Sequence, residues 1–215
     1  MTTVNLLVGG PTEFWPTSLK KHQFNGKWVG ADRGNLRLIK MGITPSIAIG
    51  DFDSMNQDEL NLVKHHVKTI ISSSPIKDDT DTELGLKITM DHFNFDQINI
   101  FGATGGRIDH FLTNLFMMLE PRFRPIVPKV KIIDNQNTIN FYLPGKHFID
   151  KENDKHYLAF VPLETMHLTL NDEKYRLNHR LVKYPTSYSS NEFIGQRNHF
   201  EFDHGILCVI QSKDK

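Results

Sequence analysis

The chain has one cysteine, Cys208, among its 215 residues. It therefore has no partner for an internal disulfide and no thiolate set for a zinc site, and nothing in it requires an oxidising compartment. Cys208 lies in the apolar run Ile206-Leu207-Cys208-Val209-Ile210 and reads as a buried, inert thiol. No stretch approaches the ~18 consecutive apolar residues of a membrane-spanning helix. The short apolar run at the start has no basic region before it and ends in Gly9-Gly10-Pro11, a strand and turn and not a signal peptide. The expectation is a soluble, cytoplasmic protein with no membrane association. Net charge is also missing, since 25 Lys and Arg balance 25 Asp and Glu, so the whole molecule has no built-in attraction to nucleic acid. Common nucleotide signatures are absent too. Gly26-Lys27 and Gly145-Lys146 are not followed by Ser or Thr, and no G-x-G-x-x-G occurs, which disfavours a P-loop or an ordinary dinucleotide fold. There are 11 histidines but no H-E-x-x-H, so they read as mostly structural or exposed.

What is present is a globular composition with 39% hydrophobic residues and a local charge imbalance. Residues 51–109 hold 11 acids, 9 of them Asp, against 5 Lys and Arg, and the flanking segments restore neutrality. Short carboxylates gathered in one stretch suit a hard cation such as Mg²⁺, usually held by one or two carboxylates plus substrate phosphates.

Short apolar runs at residues 4–8, 27–30, 46–49, 69–71, 98–101 and 130–133 alternate with stretches of helical period, the βαβ rhythm of a parallel sheet. After Gly106, Ile108, Phe111, Leu112, Leu115, Phe116 and Leu119 define one apolar helix face, while Arg107, His110 and Asn114 share another; Pro121 ends the helix. Beyond about residue 138, short β-rich pieces are punctuated by Pro144-Gly145, Asn171-Asp172 and His204-Gly205. The predicted architecture is an α/β N-terminal domain with a mainly parallel sheet over residues 1–138. An all-β, sandwich-like C-terminal domain follows over 139–215.

Four motifs carry the chemistry. Gly50-Asp51-Phe52-Asp53-Ser54 places two carboxylates at the carboxyl end of a predicted buried strand, the edge where open α/β sheets bind ligands. An extended backbone there would point Asp51 and Asp53 to the same side. Ser54-x-x-Gln57 fits a capping box, which explains Ser54 but not the aspartates. Asp78-Asp79-Thr80-Asp81-Thr82-Glu83 combines a second capping box, Thr80-x-x-Glu83, with three aspartates that repel one another unless a cation sits among them. A calcium loop is excluded, because Leu84 and Met90 stand where Gly and Glu are required. Phe101-Gly102-Ala103-Thr104-Gly105-Gly106-Arg107 is a strand, a glycine turn and a helix start, a place for phosphate, with Arg107 as a planar clamp. Asp32, in Gly30-Ala31-Asp32-Arg33-Gly34, could bond a ribose hydroxyl or reach the phosphate site, or simply cap a helix.

In this order, the four motifs resemble the signature of thiamine pyrophosphokinases. Leu181-Val182-Lys183-Tyr184-Pro185 and Ser190-Asn191-Glu192-Phe193 are similar to that family's second-domain motifs. Leu181 and Thr186 depart from it, standing where Gly and Leu are common. The resemblance implies a homodimer that transfers pyrophosphate from ATP to the thiamine hydroxyl and releases AMP. It implies Mg²⁺ on Asp51, Asp53, Asp78 and Asp81, with Asp51, Asp53, Asp81 and Arg107 as the catalytic set. Asp32, Ser54, Thr80, Thr104, Gly105, Gly106 and Asp109 are implied around ATP, and Lys77, Ser190 and Asn191 around thiamine at the subunit interface. Two other readings compete. A haloacid-dehalogenase-type phosphatase is suggested by Asp51-x-Asp53, although Met55 departs from that motif. A non-catalytic thiamine or nucleotide sensor would need fewer carboxylates.

Overall fold

The structure, a computed structural model, describes residues 1–72 and 79–214. These group into two compact units, 1–117 with 132–135 and 118–131 with 136–215. The units therefore exchange segments near the junction instead of parting at one cut after residue 138. In 118–131, the 3-10 segment Pro121–Lys129 is interrupted by Pro125 and Pro128, which cannot sustain an α-helical ladder, and it buries Phe123, Ile126 and Val127.

The first unit contains five parallel strands, β1 (Thr3–Leu7), β2 (Lys27–Ala31), β3 (Ile47–Gly50), β4 (Ile70–Ser72) and β5 (Gln97–Phe101), in the order β5-β1-β2-β3-β4. Each lies within a residue of the apolar run that predicts it. The strands β1, β2, β3 and β5 are buried at every position except, in three of them, the first. Crossover helices cover such sheets, which is why the runs are continuous and not alternating. The helices are α1 (Thr17–Lys20), α2 (Arg33–Lys40), α3 (Gln57–His66), α4 (Asp81–His92) and α5 (Ile108–Phe116). From β1 the chain steps outward to β4 and then returns to lay β5 on the other side of β1. The order reverses between β1 and β5, and a doubly wound sheet opens its crevice at that reversal.

Caps fix where two helices begin. Thr80 and Glu83 form the expected capping box at α4. At α3 the box is made by Asn56 and Glu59, two residues beyond the predicted Ser54. The shift has a local cause: Phe52 is buried with Val63 and Val67, and Arg33 Nη1 donates to the Ser54 carbonyl at 2.8 Å, so Ser54 belongs to the turn before the helix. Helix α5 departs further from expectation. Of its predicted apolar face, Ile108, Leu112 and Phe116 are 74%, 41% and 44% exposed while Phe111 and Leu115 are half-buried; on the polar face Arg107 and His110 are exposed, and Asn114 is buried, its Nδ2 donating to the Ala103 carbonyl at 2.9 Å.

Strand β6 (Val130–Ile133) straddles the division between the units. The second unit then holds β7 (Asn137–Tyr142), β8 (Gly145–Asp150), β9 (Tyr157–Pro162), β10 (Met166–Leu170), β11 (Leu177–Val182), β12 (Tyr188–Glu192), β13 (Arg197–Phe202) and β14 (Leu207–Ser212). Two antiparallel layers, β12-β9-β14-β7 and β11-β10-β13-β8, enclose Leu158, Phe160, Leu168, Phe200, Leu207 and Val209 between them. That is the predicted sandwich. Each fully buried side chain of this kind contributes about 1.5–3 kcal/mol. The strands that the apolar pattern does not reveal, β8, β11 and β12, are edge strands with few buried residues.

Glu173 is enclosed in this unit beside the bridge it forms with Phe193. Its Oε2 accepts from the Asp172 N–H at 3.1 Å, while Oε1 has no hydrogen-bond partner. Burial pushes its carboxyl up to about 7 from an ordinary 4.5. The native state thus holds this proton more tightly than the unfolded chain does. The group's stabilising contribution is complete below about pH 4.5 and is lost as pH rises through about 7. In urea unfolding, Glu173→Gln should gain stability relative to the parent as pH rises through that window; a difference that stays constant with pH would overturn this assignment.

Candidate active site

A cleft of about 510 Å³ opens at the carboxyl edge of the first unit's sheet, at the reversal between β1 and β5. Its walls come from the turn after β1 (Val8, Gly9, Gly10, Pro11), from Asp32 and Asp51 after β2 and β3, from 79–82 at the start of α4, and from the glycine loop with Arg107, His110 and Asn114. Of these, the sequence reading named Asp32, Asp51, Thr80, Asp81, Gly105, Gly106 and Arg107 as site residues; the first turn, Asp79, Thr82, Gly102, Ala103, His110 and Asn114 it did not. Gly9-Gly10-Pro11 at the end of the first strand was the available signal, because a turn at that edge borders the crevice.

The turns after β1 and β5 continue the pairing of their strands. Val8 N–H donates to the Phe101 carbonyl at 2.9 Å, and Gly10 N–H to the Gly102 carbonyl at 3.0 Å. A Cβ on Gly10 would stand 2.0 Å from the Gly102 oxygen, so no side chain fits there. Gly105 has φ +76°, and a Cβ there would meet the Phe14 ring at 2.4 Å. The glycines thus serve the packing of 9–14 over the loop as well as any ligand.

Asp32 occupies the N-cap position of α2, but its side chain makes no cap hydrogen bond. Its backbone adopts φ +51°, costly for a residue with a Cβ, and is held there by its surroundings. Asp32 N–H donates to the Ile49 carbonyl at 2.8 Å. The fully buried Asn35 donates from Nδ2 to the Asp32 carbonyl at 3.0 Å and to the Ile49 carbonyl at 3.1 Å. Burial, together with the charges of Asp81, Asp51 and Asp53 and a hydrogen bond to Asp81, pushes the Asp32 carboxyl up to about 7. Its Oδ1 is buried without a hydrogen-bond partner.

The expectation of an extended backbone through 51–53 is corrected here. Phe52 turns back at φ +58° to bury its ring, so the two aspartates do not share a face through simple alternation. They remain neighbours: Asp53 N–H donates to Asp51 Oδ1 at 3.1 Å, and Asp51 beside it raises the exposed Asp53 carboxyl above its usual range. Asp51 and Asp81 line the cleft, whereas Asp53 and Ser54 lie outside its lining. Thr80 lines it while also capping α4. Thr104 is buried, with an unpartnered Oγ1. Arg107 reaches the lining, but its guanidinium is engaged by Asp109, Nε to Oδ1 at 3.1 Å, which holds that carboxyl below its ordinary range. Lys77 and Asp78 lie outside the described residues.

The donor set suits a hard divalent cation, being all carboxylate oxygen with one buried oxygen unsatisfied. Among the described residues, no three of these side chains are gathered as ligands around one point. In the second unit, Ser190 is exposed at φ +58°. Asn191 is 2% exposed, with its amide spent on the Tyr175 backbone: Nδ2 donates to the carbonyl at 2.8 Å and Oδ1 accepts from the N–H at 2.9 Å.

The description "Thiamin pyrophosphokinase, catalytic domain" matches residues 19–130, and "Thiamin pyrophosphokinase, vitamin B1 binding domain" matches 146–207. The chain belongs to the thiamin pyrophosphokinase family. It is 37% identical over 217 residues to the thiamine pyrophosphokinase of Bacillus subtilis, with 100% of both chains covered. Among solved structures, a thiamin pyrophosphokinase family protein from Enterococcus faecalis superposes with a TM-score of 0.93 at 43% identity, covering 100% of each chain. A protein from Lactobacillus plantarum gives 0.92 at 50% identity, again covering 100% of each. The thiamin pyrophosphokinase fold thus accounts for both the parallel-sheet unit and the sandwich, neither of which the phosphatase reading explains together.

Asn35, buried behind Asp32 and outside the cleft lining, is a supporting residue that sequence reasoning missed. Asn35→Ala should cost about 1 kcal/mol in denaturant unfolding, because it removes a buried amide that donates to the Asp32 and Ile49 carbonyls. It should also lower turnover by releasing Asp32 from its left-handed conformation. Unchanged stability and unchanged turnover would remove Asn35 from this role.

Proposed function

We propose that this thiamine pyrophosphokinase binds ATP in the cleft lined by the turns after β1 and β5 and by the acidic strand ends and transfers its β,γ-pyrophosphate to the thiamine hydroxyl, releasing AMP and a proton. The observation that carries the reading is the convergence of Asp32, Asp51, Asp53 and Asp81 on one edge beside a glycine loop. Carboxylates crowded this closely make sense where a cation and a polyphosphate complete the charge balance. Asp51, Asp53 and Asp81, with Asp78, would hold Mg²⁺. When bound, the ion neutralises charge on the phosphate oxygens.

The chain's own residues supply positioning and electrostatics, which carry most of the catalysis in phosphoryl transfer. Main-chain N–H groups at Gly105 and Gly106 and the start of α5 favour anionic oxygens. Arg107, once released from Asp109, offers a planar fork to them. Asp32, Ser54, Thr80, Thr104 and Asp109 surround the nucleotide in this reading. Lys77 and Ser190 serve thiamine, and Asn191 holds the backbone next to Ser190. The exposed stripe Ile108, Leu112 and Phe116 on α5 supports a homodimer, because a contiguous apolar helix face is costly to leave in water. The compartment proposed is the cytoplasm.

Incubation with ATP, thiamine and Mg²⁺ should yield thiamine diphosphate and AMP in equal amounts. Formation of ADP or free phosphate would overturn the reaction assigned, and binding without turnover would favour a sensor. Asp53→Ala and Asp81→Ala should each lower kcat about 100-fold or more with the fold intact. Near-normal activity in both would remove the metal-site assignment. Phe116→Glu should shift the protein toward monomer in light scattering; an unchanged mass would exclude that face from the dimer contact.

A further inference from the structure

The turn after β1 is braced from a residue outside the cleft. Arg37, on α2, donates from Nη1 to the carbonyl oxygens of both Gly9, at 2.9 Å, and Gly10, at 2.5 Å. Its guanidinium lies over the Trp15 ring, 5.8 Å from the centroid. Gly9, Gly10 and Pro11 line the cleft, and Arg37 does not. Farther along the same segment, Asn135 binds two more carbonyls, Glu13 from its Nδ2 at 3.1 Å and Phe14 from its N–H at 2.8 Å. On the other side, Gly10 N–H is bound to the Gly102 carbonyl.

Two consecutive carbonyls of the turn are thus drawn to one cation. Left free, their negative ends could swing toward the ligand and oppose it. Captured by Arg37, they are fixed and their charge is compensated. The guanidinium is half-buried; burial and the nearby Arg33 lower its pKa, while Glu13 raises it. An ordinary surface arginine would have neither the burial nor the shared carbonyls.

We propose that Arg37 is a positioning residue for the nucleotide phosphates, holding the Gly9-Gly10 carbonyls away from the ligand without touching it. The proposal rests on the reading of this cleft as the ATP site. It is tested by steady-state kinetics with each substrate varied and by equilibrium binding of ATP with Mg²⁺, on the full-length protein. Arg37→Met should raise KM for ATP and weaken ATP binding about tenfold, with kcat and the KM for thiamine within about twofold of the parent. Arg37→Lys, whose ammonium can donate to both carbonyls, should recover most of that loss. If Arg37→Met does not fold, Arg37→Gln supplies the same comparison. An unchanged KM for ATP, an equal loss in every parameter, or a lysine variant no better than methionine would each overturn the proposal. A parent protein that binds ATP without converting thiamine sinks the functional reading, while the binding comparison still decides the role of Arg37. A parent that binds no ATP sinks both.

Discussion

Like charge held at close quarters is the constraint on which the first unit depends. Burial and the charges of Asp81, Asp51 and Asp53 raise the Asp32 carboxyl, and the charges of Asp51 and Asp81 raise that of Asp53. Repulsion of this kind would spread a flexible set of side chains apart. Here the backbone opposes it: Asp32 and Phe52 are both kept in left-handed conformations, one by Asn35 and the Ile49 carbonyl, the other by burial of the Phe52 ring. Conformational strain and electrostatic strain therefore coincide at the same strand ends, as is common at functional sites.

The sheet topology explains why this edge was available. A chain that winds outward from β1 and then returns to place β5 on its other side reverses the strand order there, and the connections that follow the two strands lead away in different directions while their first turns stay hydrogen-bonded. Acidic side chains from β2, β3 and α4 reach the crevice from one flank. The glycine loop after β5 forms the other. Association of an acidic flank with a backbone-donor flank suits a ligand that carries both a cation and phosphate, which neither flank would favour alone.

The parallel strands were legible in the sequence because their burial on both faces leaves continuous apolar runs. The edge strands β8, β11 and β12 were not, since a strand with one or two buried residues has no apolar signature. Thr80-x-x-Glu83 was read correctly as a cap, but Ser54-x-x-Gln57 competed with Asn56-x-x-Glu59, and only the tertiary anchoring of Phe52 and Ser54 decides between them. Asp32, Asp51 and Asp81, which line the cleft, could be named from their places at strand and helix ends. Asn35 and Arg37 could not, because their roles consist of bonds to backbone carbonyls that come together only when β1, β2 and β3 are side by side. The α5 stripe misled for a different reason: helical periodicity reveals that a face is apolar, not which surface covers it.

The contact between Gly10 and Gly102 has a mechanical consequence. Because the two turns meet backbone to backbone with no side chain between them, there is no rotamer at the contact to flex. The turn carrying Gly9 to Pro11 and the loop carrying Ala103 to Gly106 are thereby coupled as one rigid lip of the cleft. Any movement that widens or narrows the opening must carry both together, and a change at either glycine is felt at once on the opposite strand.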